Sequence, residues 1–341
     1  MRLIQKILFF LLIPTPLLAN SYSDIFFSSM PLHARSAGMA YTEVSMPSLS
    51  VGVLTNPGVL GFSQELTCVF NSHRYTGRSP RRFFAASYHL KKIGTVAIGY
   101  NRQRYVPQVT FDGNISDSYY ISNTCDTDVY SLSFGTAFLN MIGIGATLNR
   151  FTGTKIQSDF PYGDVLRIEY DDWLLNIGML FKSPIFRFRS SYIDDEFRAG
   201  VSINQIGLDN ADTQKRYGAA YEIAPVIFIP SLDRDVHPIR IIFAYERMTP
   251  FLDIQGEKNA KSWGMELNFG GFLSYRFGSH TTFSGGEDNT QGFGLQLPLD
   301  ILTKDELPIW LEYDRADCRG SKVYHSIKIK IRFEGRLSNI F

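Results

Sequence analysis

Past an apolar leader, nearly every hydrophobic segment of this chain alternates. At its end, Val323, Ile327, Ile329, Ile331 and Phe333 share one face of an extended segment, and Tyr324, Ser326, Lys328, Lys330 and Arg332 share the other. A period of two marks a strand with one apolar and one polar side. Likewise Leu307, Ile309, Leu311 and Tyr313 oppose Trp310, Glu312 and Asp314, and Trp263, Met265, Leu267 and Phe269 oppose Gly264, Glu266 and Asn268. Tyr130, Leu132, Phe134 and Phe138 oppose Ser131, Ser133, Gly135 and Ala137. No helical period of comparable length occurs. From Glu65 to Phe333 the alternation predicts about fourteen strands, most of them about nine to eleven residues long, which is what a tilted strand needs to cross a bilayer. They fall near 65–73, 82–90, 93–102, 128–138, 141–151, 170–182, 195–206, 215–223, 238–248, 262–269, 272–278, 290–297, 307–315 and 322–333. Lys91-Lys92, Leu139-Asn140 and Gly270-Gly271 read as tight turns, and 103–127, 152–169 and 249–261 as long polar loops. Short turns at one end and long loops at the other are the habit of outer-membrane barrels.

A secreted β-sandwich or propeller alternates too. Two features favour the membrane. The apolar face is nearly free of charge, where an ionised residue at mid-bilayer would cost ~2–4 kcal/mol. Aromatic residues also gather at strand ends on that face (Tyr130, Phe138, Tyr245, Trp263, Phe269, Tyr313, Phe333), as interfacial girdles require. His325 falls on the apolar face, but near the outer end of its strand. The expected fold class is therefore all-β: a transmembrane antiparallel β-barrel.

Composition and the leader set the address. Lys+Arg 34 against Asp+Glu 33 leaves a net charge of +1, so nucleic acid is not expected as a partner. Arg2 and Lys6 precede a short apolar run, Ile7 to Ile13, and Leu17-Leu18-Ala19 offers a cleavage site. Residues 1–19 read as a cleaved export signal, with 64–335 as the barrel and 336–341 as a tail. The expected location is the outer membrane of a diderm bacterium, with outer-membrane lipid as a partner. Three cysteines are no disulfide framework and read as three unpaired small residues; the alternative is one bridge between Cys125 and Cys318, in predicted loops, should those loops share a side.

The polar face would line the lumen with Arg198, Arg240, Glu246, Glu266, Arg276, Glu312, Asp314, Lys328, Lys330 and Arg332. Facing charges of mixed sign either fill a narrow barrel with ion-pair ladders or line a water path. The balance of signs favours filling, since a porin constriction needs segregated ones. No catalytic, cofactor or metal site is expected. Ser87 and His89 share a face but lack an evident acidic orienter, His325 and Ser326 point oppositely, and G-x-S-x-G is absent. The acidic runs Asp112-Gly113-Asn114 with Asp117, and Glu287-Asp288-Asn289, lack a complete EF-hand pattern and read as solvated loops. Arg78, Arg81 and Arg82 form a small basic cluster beside a predicted outer loop, read as a solvated rim, with lipopolysaccharide phosphate as the alternative partner.

Between leader and first strand stand Ala34-Arg35-Ser36-Ala37-Gly38-Met39-Ala40, the apolar run Leu49 to Val53, and Leu54-Thr55-Asn56-Pro57-Gly58-Val59-Leu60-Gly61. This stretch resembles the N-terminal signature of the PorV/PorQ group of outer-membrane proteins, close in fold to FadL-type transporters. Arg35, Gly38 and Met39 match its first part, and Asn56, Pro57 and Leu60 its second. Thr55 replaces the usual aromatic, Gly58-Val59 replaces Ala-Gly, and Met46-Pro47-Ser48 stand where the group has paired aspartates. Trp263-Gly264-Met265-Glu266, Leu273 to Gly278 and Gln291 to Leu295 resemble later segments of the group. The resemblance implies a fourteen-stranded barrel with residues 20–63 as a plug. It also implies an accessory role in type IX-like protein secretion, with secretion subunits or exported proteins as partners; Tyr119, Tyr120 and Ile121 in the longest predicted loop suit either this role, as a rim contact, or a channel, as a pocket. The alternative is a FadL-like channel for hydrophobic small molecules. The charged lumen face around Glu312, Asp314 and Lys328 fits a greasy conduit poorly and favours the accessory role.

Overall fold

A computed structural model describes residues 34–63, 66–75, 79–91, 93–105, 120–160, 164–183, 186–187, 193–207, 213–229, 234–250, 259–281, 286–298, 309–318 and 322–333. The expected signal (1–19), residues 20–33, the tail 336–341, Arg78, Tyr119 and the 112–117 acidic run lie outside them.

Alternating apolar and small polar residues pleat into β1 (Leu66–Tyr75), β2 (Ser79–Leu90), β3 (Gly94–Tyr105), β4 (Tyr120–Phe138), β5 (Ile142–Phe160) and β6 (Asp164–Lys182). The two-residue β7 (Phe186–Arg187) precedes β8 (Ile193–Ile206) and β9 (Gln214–Pro225). A small hairpin, β10 (Ile227–Ile229) with β11 (Arg234–Val236), leads to β12 (Ile239–Pro250) and β13 (Ala260–Phe269). The chain ends in β14 (Leu273–Thr281), β15 (Glu287–Pro298), β16 (Ile309–Cys318) and β17 (Lys322–Phe333).

The sheet runs β6-β5-β4-β3-β2-β1-β17-β16-β15-β14-β13-β12-β9-β8, and a further β6–β8 ladder joins its ends. Fourteen antiparallel strands therefore close a barrel, with β7 a short appendage to β8. First and last strands pair from Leu66↔Phe333 to Tyr75↔Tyr324.

One end carries tight turns. Leu139 and Asn140 at φ 53 and 55, and Gly270 and Gly271 at φ 59 and 78, take the left-handed pair of conformations that suits the strand twist. This is called the turn end below, and the opposite one the loop end. At the loop end β4, β5 and β6 are 19 residues each. The stretch 152–169, expected as a loop, is strand in all of its described residues, and β3 and β4 likewise extend into 103–127. The reason is physical: where strands project beyond a bilayer, both faces meet water and the period-two signal vanishes. Glu287-Asp288-Asn289, also expected in a loop, lies in β15. Cys125 and Cys318 lie in β4 and β16, with β3, β2, β1 and β17 between them. At ~4.8 Å per strand they stand well beyond the ~7 Å Cα separation a disulfide tolerates. Cys68 is a free thiol.

The outward face is a continuous apolar belt. Leu132 is 57% exposed, Ile98 53% and Ile327 50%, while the intervening Ser131, Ser133, Ala97 and Ser326 are buried. Exposed side chains of this kind, in a closed barrel with a polar interior, make a transmembrane barrel of the outer-membrane type. Tyr130, Tyr245 and Trp263 mark the belt's loop-end edge, and Phe138 and Phe269 its turn-end edge.

Inside, residues 34–63 pack against the inward faces of the strands. They form α1 (Ala34–Gly38), α2 (Leu49–Leu54) and the 3₁₀ helix η1 (Pro57–Phe62). Ser48 caps α2 by accepting from the Val51 N–H, and Asn56 caps η1 by accepting from Gly58, with Pro57 pre-set for the first turn. Leu49, Val53 and Leu60 bury against Val69, Phe83, Ala85 and Ala97, and Met39 and Met46 against Ala220, Ile242 and Ala244. The wall makes room with glycine. A Cβ at Gly178 would run into Asn56 Oδ1, at Gly200 into Val44 O, and at Gly264 into Met39 O.

Candidate functional site

Two buried charge clusters tie the inner segment to the wall. In the first, Arg35 of α1 reaches Glu266 of β13 through two hydrogen bonds, 2.8 and 3.0 Å. Glu266 also accepts from Arg276 of β14 at 2.5 Å; Arg276 bonds Asp314 of β16, and Lys328 of β17 pairs with Glu312 at 2.6 Å. In the second, the Glu246 carboxylate of β12 accepts the backbone N–H groups of Glu43 (2.5 Å) and Val44 (2.8 Å) and the Arg216 guanidinium (2.5 Å). Glu43 in turn accepts from Ser36 and Thr55 and stands 3.6 Å from Arg216. Buried charges persist only when paired and hydrogen-bonded, so each cluster is meaningful as a unit.

Uncharged ties add to these. Asn56 Nδ2 donates to Val44 O (2.7 Å) and to Met179 O of β6 (3.1 Å). Asn176 Nδ2 of β6 donates to Leu54 O, and Thr290 Oγ1 of β15 to Gly38 O. Asn56-Pro57 is therefore more than a local turn, since its side chain also holds the inner segment to the wall.

Among the charged positions singled out from the sequence, Arg198, Glu246, Glu266, Arg276 and Asp314 are buried, and Glu312 and Lys328 pair at 14% side-chain exposure each. Arg198 pairs with Glu222 across the β8–β9 ladder. Lys330 lies 5.7 Å from the Trp310 ring centre and, with Arg240, lines a polar cavity of about 560 Å³ between the inner segment and the wall. The Arg332 side chain is outside the described residues. The motif residues Gly38, Met39, Asn56, Pro57 and Leu60 are buried, and Arg35 is an anchor. Sequence reasoning missed Glu43, Arg216 and Asn176. Each is an ordinary polar residue on a strand or turn until the register shows its partner, 203 residues away in the case of the Glu43 N–H and Glu246.

The remaining chemistry does not assemble. His89 bonds Thr95 rather than Ser87. Ser262 and His280 do meet, at 2.8 Å, but both are buried under the Tyr41 ring, 4.5 Å from the imidazole. Arg81 points inward to Asn101 and Arg82 outward, so the expected basic cluster divides between two faces. Among the described residues no group of three acidic, His or Cys side chains could hold a metal ion.

The other half of the barrel is different in kind. Val129, Phe151 and Leu174, with Tyr170 against them, form an apolar cluster on the inward face of β4–β6. Beside it the β6–β8 ladder reaches only Leu175↔Ile206, and its register shifts between Leu175 and Ile177. The β5–β6 ladder, by contrast, continues to Asp159↔Asp164. At the shift Gln205 has φ 60, and its N–H donates to Asn176 Oδ1 at 2.8 Å. Asn176 thus links β8, β6 and the inner segment at the shortest seam in the wall.

No protein-family model matches this chain, and no curated protein does. Several solved structures are similar in course. The CymD monoaromatic hydrocarbon channel shares 9% identity at a TM-score of 0.48, covering 89% of this chain and 96% of its own. The Ralstonia pickettii toluene transporter TbuX shares 10% at 0.43, covering 89% and 99%. A Pseudomonas aeruginosa FadL homologue shares 10% at 0.47, covering 89% and 98%. At such scores none of these likenesses bears on function.

Proposed function

We propose that this protein is an outer-membrane channel for small hydrophobic molecules, with residues 34–63 as the plug that closes its lumen. The observation that carries this reading is the apolar cluster on β4–β6 beside the short β6–β8 seam, with the buried Asp172 opposite Phe151 as the charge nearest to it. The charges that clamp the inner segment stand on β9, β12 and β13, and the pairs Arg198–Glu222, Lys182–Glu196 and Lys328–Glu312 engage one another along the wall. The charged face therefore does not argue against an apolar route, because its charges are engaged with the plug and with one another. An apolar solute reaching Val129, Phe151 and Leu174 meets the plug below and the seam at its side. The accessory role in secretion implied by the PorV/PorQ resemblance would rest on rim loops outside the described residues, and no geometry favours it.

The test is passage across vesicles containing the purified protein, comparing a radiolabelled aromatic hydrocarbon with a sugar of similar mass. Wild type should pass the hydrocarbon and exclude the sugar. A disulfide between Leu175→Cys and Ile206→Cys, which face each other across the seam, should slow the hydrocarbon, and reduction should restore it. Passage of the sugar alone, or no protein-dependent passage of either, would overturn the proposal.

A further inference from the structure

Among the described residues the exposed charge of the outward face gathers at the loop end, while at the turn end Asp195 is buried and bonded to Tyr221. The exposed turn-end positions of that face include the apolar Phe138, Ile142, Phe269 and Leu273. At the loop end, directly beyond the aromatic edge of the belt, two pairs of cations stand opposite each other across neighbouring strands. On β2–β3, Phe84 faces Tyr100 and, one outward step on, Arg82 faces Arg102. On β12–β13, Tyr245 faces Trp263 and, one outward step on, Arg247 faces Lys261. The four cations are exposed. Around the closed ring β3 and β12 stand six strand steps apart one way and eight the other, so the two sites lie on different sides of the barrel.

Like charges directly opposite in a ladder repel, their Cα atoms being only about 4.5–5.5 Å apart. Two other cations at this level have acids beside them: Arg150 pairs with Asp171 at 2.7 Å and Arg315 with Asp317 at 3.2 Å. Arg247 and Lys261 have no ion pair with any described residue, nor does Arg82, while Arg102 reaches Asp128 only at 3.9 Å. Two like-charged pairs, each one step beyond an aromatic pair and neither closely paired with an acid among the described residues, offer a site to an anion. Their height fixes its source. Tyr and Trp side chains of a girdle sit at headgroup level, so cations one step further out meet lipid phosphates.

We infer that Arg247 with Lys261, and Arg82 with Arg102, are binding sites for the phosphate groups of anionic lipid in the leaflet at the loop end. Each pair straddles a phosphate while the acyl chains lie along the aromatic and aliphatic belt below. Arginine suits this role through its planar fork of donors, and Lys261 as a point charge.

Native mass spectrometry of the full-length protein in mild detergent tests this, using a bis-phosphorylated glycolipid and its enzymatically dephosphorylated form as probes. Wild type should retain the phosphorylated lipid in preference. Arg247→Gln with Lys261→Gln, and Arg82→Gln with Arg102→Gln, should each weaken retention roughly fivefold or more, with retention of the dephosphorylated form unchanged. Heat-modifiable gel mobility reports whether the variants remain folded, and the wild-type preference decides the matter if they do not. Equal retention of both lipids by wild type would overturn the inference, as would folded variants that keep the full preference. Binding of inorganic phosphate with no dependence on the lipid's own phosphates would overturn it as well.

Discussion

Asn56 shows how much one side chain contributes once its partners are known. It accepts from Gly58 N–H and donates to two carbonyls, Val44 and Met179, while fully buried. Asn56→Ala removes all three bonds and leaves buried groups unsatisfied. At roughly 1 kcal/mol per bond, the variant should lose about 2–4 kcal/mol, read as a shift in the urea midpoint in detergent micelles. Glu266→Ala should cost more, ~3–5 kcal/mol, because it removes the partner of the half-buried Arg35 and one of the two carboxylates bonded to the buried Arg276. A protease that cleaves only exposed chain should then cut within 34–63 in the variant and spare the wild type. The sequence made Glu266 visible as an inward residue, since its strand alternates cleanly. It could not show Arg35 as the partner, because 231 positions separate them and only the closed ring brings them together.

At the scale of the strand, alternation predicts which substitutions the bilayer resists. Ile329 stands midway along the outward face of β17 and is 37% exposed, whereas Val323 lies at its loop end opposite Asp317. Ile329→Arg should cost ~2–4 kcal/mol for folding into lipid vesicles, and Val323→Arg about 1 or less. Equal costs at the two positions would mean that the belt does not face acyl chains. The same alternation explains which strands were legible. β8, β9, β13 and β17 lie within a few residues of the segments read from the pattern. The loop-end halves of β4, β5 and β6 were read as loops, because water on both sides removes the reason to alternate. Glycines of the inward face, such as Gly178 and Gly200, read only as small polar-side residues. Their purpose, admitting Asn56 and Val44 against the wall, needs the inner segment in place.

For the whole molecule, the proposed channel is a barrel that its own N-terminal segment would close. That segment is held to the wall by two charge clusters, a few amide bonds and apolar packing rather than by continuous strand pairing, so its attachment is separable from the barrel in energy. Glu246→Ala removes the acceptor of the Glu43 and Val44 N–H groups and of Arg216; combined with Glu266→Ala, it releases both clamps while the fourteen ladders remain. The most direct measurement is ionic current through single proteins in a planar lipid bilayer, wild type against this double variant, with heat-modifiable mobility confirming that each barrel is folded. Wild type should be electrically silent or pass brief, rare openings, and the folded double variant should conduct steadily. Steady conductance of equal size in both would contradict the account, since residues 34–63 would then not be what shuts the lumen.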